Sequence, residues 1–490
     1  MRTANIIGSG PNGLAAAITL AQRGVRVTVY ERSARPGGAC ASGEVTLPGF
    51  VHDLGSSVYP LGVASPFFRS LRLEEHGLRW VQPPAALAHP FDNGRSASLE
   101  SSLDATADHF AALNTADGDH DAHAWRSLLA STVREWPQLT AAIMQPLLRV
   151  PLAPVALATF GSAALWPAET LARRIFRTAQ ARALFAGAAA HTVLPLSYAG
   201  TSAAALVLIA AAHTTGWPIA AGGAQSIADA LLSCLSSLGG TVVTGVHVRS
   251  LADLPPADIT LFDTSVDALR AIARHQLSPS FDRRLQAQQR GAGIFKLDYA
   301  LSSPIPWSDA ACLRAATVHL GNSLEEIVAS EAASCTLAPH AALRTHAQPF
   351  IILVQPSLFD ETRAPHDAQG LPQHTAWAYC HVPNGSTEDM TDRIEAQITR
   401  FAPGFRNVVL TRKASNTAAL EAWNPNLVGG DVSAGAMTLA QQIARPTLRQ
   451  YRTSNAALYL CSAATSPGGG VHGMCGYNAA NAALQDHHRR

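Results

Sequence analysis

The chain opens on a short apolar run, Ala4–Ile7, of the kind that forms a buried strand. A glycine-rich stretch, Gly8–Gly13, follows. Leu14, Ala17, Ile18 and Ala21 then recur at helical spacing up to a stop at Gly24. Val25, Val27 and Val29 alternate as a second strand that ends at Glu31. Strand, glycine turn, helix and strand within 31 residues is the opening of a parallel α/β sheet. Further along, Ile227–Leu238 has helical spacing and is closed by Gly239-Gly240. Thr241–Val248, rich in β-branched residues, predicts a strand, and so does the short run Ile259–Phe262. Ile294–Leu301, Pro349–Val354 and Thr375–Val382 predict three more strands. Met390–Phe401 predicts a helix with Ile394, Ile398 and Phe401 on one face. Near the end come a strand at Ala457–Cys461, a glycine turn at Pro467–Gly476 and an alanine-rich helix at Tyr477–Leu484. The final residues, 487–490, read as a frayed tail.

Composition changes the picture in one respect. Of 490 residues 47% are hydrophobic, which excludes disorder, but only 14% are charged, against about 25% in an average soluble protein. The deficit is concentrated in residues 183–228, which contain no Asp, Glu, Lys or Arg. Their most apolar part, Ala203–Ala212, is half the length of a membrane span and is followed by His213, Gly216 and Pro218, so a buried helix is expected. A second apolar stretch, Leu147–Trp166, is interrupted by Arg149, Pro151 and Pro154. It predicts a helix at a domain interface, with a peripheral membrane contact as the alternative. Net charge is +1, with no basic footprint for nucleic acid. The seven cysteines are scattered without a C-x-x-C pair, and no H-E-x-x-H occurs. No metal site and no disulfide framework are therefore expected, and no secretory signal is visible; a cytoplasmic location fits. Gly161-Ser162-Ala163 is not a nucleophile elbow, so a hydrolase reading has no anchor.

The glycine turn carries the first chemistry. Gly8 permits the tight turn, Gly10 lets backbone approach a pyrophosphate, and Gly13 lets helix and strand pack closely. With Pro11 and Asn12 they place a helix N-terminus where a phosphate would sit. Glu31, about 20 residues on, is placed for ribose hydroxyls and would repel a 2′-phosphate. Two further features favour FAD over NAD. Pro36-Gly37-Gly38 offers a second close backbone approach just after Glu31. The turn Ser466–Met474 opens another helix, whose dipole would stabilise a negatively charged flavin ring.

These residues resemble the phytoene desaturase-like flavoproteins, within the wider amine-oxidase-type FAD superfamily. The motifs are Gly8–Gly13 with Glu31, Pro36-Gly37-Gly38, His52–Ser56, Trp217-Pro218 with Gly222-Gly223, and Leu458 through Gly476. They are similar to the branch of the pyridine nucleotide-disulfide oxidoreductase domain-containing protein 2 type. Carotenoid desaturases usually carry a proline where this chain has His472, a departure that points away from a carotenoid substrate. The resemblance implies an α/β fold: a Rossmann-like FAD/NAD(P)-binding domain, discontinuous in sequence (1–95, 216–268 and 440–490). Inserted in it are a mainly helical region (96–215) and a substrate domain with a mixed sheet (269–439). It implies that Gly8, Gly10, Gly13 and Glu31 hold the ADP half of FAD. Arg32 and Gly38 lie along the ribose and pyrophosphate, and Val248 presents backbone to the adenine. Gly55, Ser56, His472, Gly473 and Met474 border the flavin ring.

Three side chains are candidates for more. His472 could act as acid, base or donor at the flavin, or could satisfy loop backbone groups. Lys296 shares a strand face with Ile294 and Asp298. It resembles the amine-oxidase lysine that reaches the flavin through water, and could equally be Asp298's partner. Cys475 reads as a buried small residue rather than a flavin attachment point, and His191 and His213 as core or tunnel-lining histidines. The function expected is FAD-dependent hydride transfer with an apolar polyene, isoprenoid or lipid-like substrate, giving desaturation, saturation or isomerisation. Oxygen, a quinone or a nicotinamide would be the electron acceptor. Amine oxidation, and a flavin-bearing regulatory protein, are the alternatives.

Overall fold

A computed structural model describes residues 2–147, 153–335 and 345–488. Residues 148–152 of the second apolar stretch, and Arg489 and Arg490 of the tail, lie outside the described residues. Two sheets organise the rest. The first has five parallel strands in the order Leu458–Leu460, Ile259–Phe262, Thr3–Ile7, Arg26–Tyr30, Thr241–Val243. Its central strands are apolar on both faces because helices cover both. On one side lie the first helix, Pro11–Ala21, and the C-terminal helix, Met474–His488. They approach so closely that a Cβ on Gly476 would lie 1.8 Å from the Asn12 carbonyl oxygen. The helix Gln225–Ser237 packs into the same core through Ile227 and Leu231.

One expected strand is shorter than its pattern. Thr241–Val248 pairs only through Val243, because Gly245 (φ 73°) turns the chain out of the sheet. Gly245 N–H then donates to the Ser33 carbonyl and Val246 N–H to that of Glu31. Val248 therefore arrives on a loop and not on a strand.

The second sheet has seven strands, in the order Val409–Ser415, Gly293–Leu301, His374–Val382, Ile351–Val354, Ala315–Leu320, Ala85–Pro90, Ser96–Glu100. All pairs are antiparallel except Ala85–Pro90 with Ala315–Leu320. The two strands of residues 85–100 straddle the expected boundary at 95 and both join this sheet. Alanine-rich and fully buried, Ala85–Pro90 has little strand propensity of its own, and its neighbours impose the conformation. One face of the sheet packs on Ile394, Ile398 and Phe401 of the helix Thr391–Phe401.

Strand register sets Lys296, Tyr379, Ile352 and His319 in one row across the other face. Against that face lie the helices Ala179–Ala190 and Ser202–Ala212, which carry the most apolar part of the uncharged stretch. No helix among the described residues is long and apolar enough to cross a membrane. The helix Pro154–Ala164 buries only Ala156 and Ala164, and leaves Val155, Leu165 and Trp166 exposed.

Candidate active site

The glycine turn is built by steric exclusion. Gly8 has φ 97°, and a Cβ there would lie 2.6 Å from the Asp263 carbonyl oxygen. On Gly13 a Cβ would lie 2.2 Å from the Gly8 carbonyl oxygen. Glu31 reaches back to this turn. Its Oε2 accepts from Ser9 N–H at 3.0 Å and from Ser9 Oγ–H at 2.6 Å, while Oε1 accepts from Ser33 N–H at 2.7 Å. Beside it stands a second carboxylate that the sequence pattern does not announce. Asp263 follows the strand Ile259–Phe262, and its Oδ2 accepts from Gly13 N–H at 2.8 Å. Asp263 is half-buried and lines a cavity. Burial, with Glu31 adding to it, pushes its carboxyl up to about 7 against the pull of the Gly13 and Gly10 N–H groups.

That cavity holds about 460 Å³ and runs from the glycine turn to the second sheet. Gly8, Gly10, Pro11, Asn12, Glu31, Arg32, Gly38, Val248 and Asp263 line one end. Gly55, Ser56, Ile294, Lys296, Trp377, Tyr379, Gly470 and Val471 line the rest. At the sheet end, Lys296 Nζ donates to Asp298 Oδ1 at 2.5 Å and to the Asp53 carbonyl at 3.0 Å. It also sits 4.9 Å from the centre of the Trp377 ring, which stacks on Tyr379 at 5.4 Å and 16°. His52 Nδ1 is 3.8 Å from Asp298 Oδ1, and burial pushes that imidazole down to about 4. The segment bearing Gly55 and Ser56 is pinned through Asp53. Its carboxylate accepts from Ser42 at 2.9 Å, Ala224 N–H at 2.7 Å, Arg363 Nη2 at 3.1 Å, and Ser57. Arg363 in turn pairs with Asp360 at 2.9 Å.

Several expected residues stand elsewhere. His472 does not line the cavity, although Gly469, Gly470 and Val471 do. Its Nδ1 accepts from Met474 N–H at 3.0 Å, the Gly468 and Gly469 backbone bonds to the same ring, and burial pushes it down to about 4. The ring is therefore spent on its own turn, the reading in which it satisfies loop backbone. Gly473 and Met474 are also absent from the cavity lining: a Cβ on Gly473 would meet the Phe68 ring at 2.7 Å and Ala15 at 3.0 Å, and Met474 is buried in the core around the first sheet. Gly37 lies behind the wall, where a Cβ would meet the Cys40 carbonyl at 2.8 Å. The Cys475 thiol is buried against the Thr465 and Gly468 carbonyls and pushed up to about 11. His191 bonds His319 at 3.2 Å, and His213 bonds the Glu100 carbonyl at 3.1 Å; both are partly buried and neither lines this cavity. Among the described residues no cysteine forms a disulfide and no metal-binding cluster occurs.

The cavity leaves two buried polar atoms without partners, Asn12 Oδ1 at the glycine end and Trp377 Nε1 at the sheet end. Backbone at Gly10 and Gly38 is bare toward each other, with only 3.0 Å between Gly10 Cα and a Cβ built on Gly38. Residues 6–71 match the family model of the NAD(P)-binding Rossmann-like domain. The whole chain is similar to pyridine nucleotide-disulfide oxidoreductase domain-containing protein 2 of Rattus norvegicus. The two are 25% identical over 98% of this chain and 93% of that protein. Hydroxyneurosporene desaturase of Rhodobacter capsulatus is 32% identical over 33% of this chain and 32% of its own length. In sequence the chain is thus similar to an oxidoreductase over nearly its whole length and to a desaturase over a third of it. A likeness of fold to a solved oxidase spans the whole chain. The solved structure of wild-type putrescine oxidase bound to putrescine superposes with a TM-score of 0.62 at 16% identity, covering 100% of this chain and 99% of that one. The matched residues 6–71 include the glycine end of the cavity, and Lys296, Trp377 and Tyr379 line the same cavity at its sheet end.

Proposed function

We propose that the cavity binds FAD and that the protein transfers a hydride between the flavin and an apolar substrate, giving desaturation, saturation or isomerisation. The observation that carries this reading is the single cavity joining the glycine turn to Lys296, Trp377 and Tyr379. Gly8, Gly10, Asn12, Glu31 and Gly38 would hold the adenosine diphosphate half, with Gly55, Ser56, Gly470 and Val471 nearer the ring. FAD bound there would supply two-electron chemistry at a substrate C–H bond. The chain's own residues supply the rest. Ile294, Val58 and the Trp377–Tyr379 stack make an apolar wall that excludes water. Lys296 Nζ is held at that wall by Asp298 and the Asp53 carbonyl. The exposed, uncharged face of Pro154–Ala164 with Trp166 supports a peripheral membrane contact, through which such a substrate would arrive.

A second reading, amine oxidation, is favoured by one feature: two stacked aromatic rings beside a lysine. The test is a visible spectrum of the purified protein, followed by anaerobic bleaching against polyene, lipid and amine panels. Bleaching by polyenes or lipids is expected. Absence of a yellow cofactor would sink the flavoprotein reading, amine-specific bleaching would replace the substrate class, and a flavin that nothing reduces would favour a regulatory role.

A further inference from the structure

The glycine turn of a dinucleotide site is expected to offer free N–H groups to phosphate, and here almost none is free. Gly8 N–H donates to the Tyr30 carbonyl and Leu14 N–H to that of Gly10. Ser9 N–H belongs to Glu31, and Gly13 N–H to Asp263, which also draws on Gly10 N–H. Pro11 has none, so Asn12 N–H is the one left. The place a diphosphate would take at the first helix is thus shared with a carboxylate of the protein. A Cβ built on Gly10 would sit 2.6 Å from Asp263 Oδ2, which measures how closely that oxygen covers the turn. Among the described residues neither Asp263 nor Glu31 pairs with Lys, Arg or His. The titratable groups whose charge acts on Asp263 are Glu31 after the second strand, Cys461 after the last strand and Cys475 in the C-terminal helix, all acids, and both thiols are held neutral by burial. The basic groups Arg32 and His247 line the same cavity without pairing with Asp263.

We propose that Asp263 binds the cofactor's diphosphate as a carboxylic acid, so that capture of the dinucleotide takes up one proton from solution. This rests on the FAD reading above. As an acid, Asp263 keeps its carbonyl oxygen on Gly13 N–H and turns its O–H toward a phosphate oxygen. As a carboxylate, it would place a third negative charge against the two of the diphosphate, and Arg32, which lines the same cavity, is not paired with it. The proton comes from solvent, and no bond to phosphorus changes. That the carboxyl already titrates near neutrality without ligand agrees with this balance.

The experiment titrates FAD into the full-length chain freed of flavin, following flavin fluorescence from pH 6.5 to 8.5. Calorimetry in two buffers of different ionisation enthalpy counts protons. Expected is a Kd that weakens about tenfold per pH unit above about pH 7, with close to one proton taken up per FAD at pH 8. Asp263→Asn should bind with a flat profile and no proton uptake, tighter than wild type at pH 8.5. Glu31→Gln, which removes the neighbouring charge, should move the break to lower pH and leave its slope. A wild-type Kd that changes less than about twofold across the range, with no proton uptake, overturns the inference and leaves the FAD reading intact. So does a D263N profile as steep as wild type. The wild-type proton count needs no variant to fold. Failure to bind FAD even at pH 6.5 overturns the cofactor reading, and this inference with it.

Discussion

Lys296 and Asp298, two positions apart on one buried strand, form an ion pair at 2.5 Å with the Trp377 ring 4.9 Å from the lysine nitrogen. Both side chains are almost wholly removed from water. Removing one partner therefore strands the other. Lys296→Met should cost about 3–5 kcal/mol of unfolding free energy, and Lys296→Met with Asp298→Asn should recover part of it. Urea unfolding of the two variants checks this. A double variant no more stable than the single one would mean that the pair does not couple.

The first and last helices meet at backbone distance. Gly476→Ala would put a Cβ 1.8 Å from the Asn12 carbonyl oxygen, inside the helix that opens the dinucleotide site. A loss of about 1–3 kcal/mol is expected, together with weaker FAD binding. Gly24→Ala is the control. Its φ is 74° with no atom near the new Cβ, so only backbone strain of about 1 kcal/mol is expected, with FAD affinity unchanged. Thermal unfolding and flavin titration separate the two.

Acid should destabilise the fold through buried histidines. His52, His89, His191, His213 and His472 are pushed down to about 4, in each case first by burial. Unfolded, each returns to about 6.5. The unfolded chain then binds more protons, so this stability is present above about pH 6.5 and drains away as pH falls toward about 4. Denaturant midpoints at pH 7.5 and 5 should differ clearly, with more than two protons taken up on unfolding near pH 5.5. A midpoint unchanged over this interval would contradict the burial of these rings.

The outer face of Pro154–Ala164 and the turn after it expose Val155 (74%), Leu165 (55%) and Trp166 (38%), with Arg174 5.6 Å from the Trp166 ring. Flotation with anionic vesicles should carry the wild type upward, and Leu165→Glu with Trp166→Glu should leave it in the dense fraction. Wild type that stays dense whatever the lipid removes the peripheral membrane contact.

Local patterns were legible where chemistry depends on neighbours in sequence. The turn Gly8–Gly13 needs only a strand before it, a helix after it and backbone without Cβ atoms, and all three are written in 20 residues. The strand Gly293–Leu301 was readable from alternation, which already set Lys296 and Asp298 on one face. Three features were not readable. Asp263 follows an apolar run and resembles any turn aspartate, and only parallel pairing of Ile259–Phe262 with Thr3–Ile7 sets it against Gly13. The one signal was its position at the C-terminal end of a parallel strand, where ligands gather in such sheets. His472 lay in the right segment, but sequence does not orient a ring, and the nearest unpaired N–H, that of Met474, claimed it. Residues 85–100 carried no strand signal, because alanine-rich strands form only when others cover them.

The sequence by itself therefore determined the class of sheet, the glycine turn and the apolar character of the interior, since each follows from periodicity and from which residues lack a Cβ or a charge. Only the tertiary structure decided what faces the cavity. That depends on strand register and on competition among buried polar groups for a limited set of partners, and both are settled between residues hundreds of positions apart, such as Gly13 with Asp263 and Asp53 with Arg363.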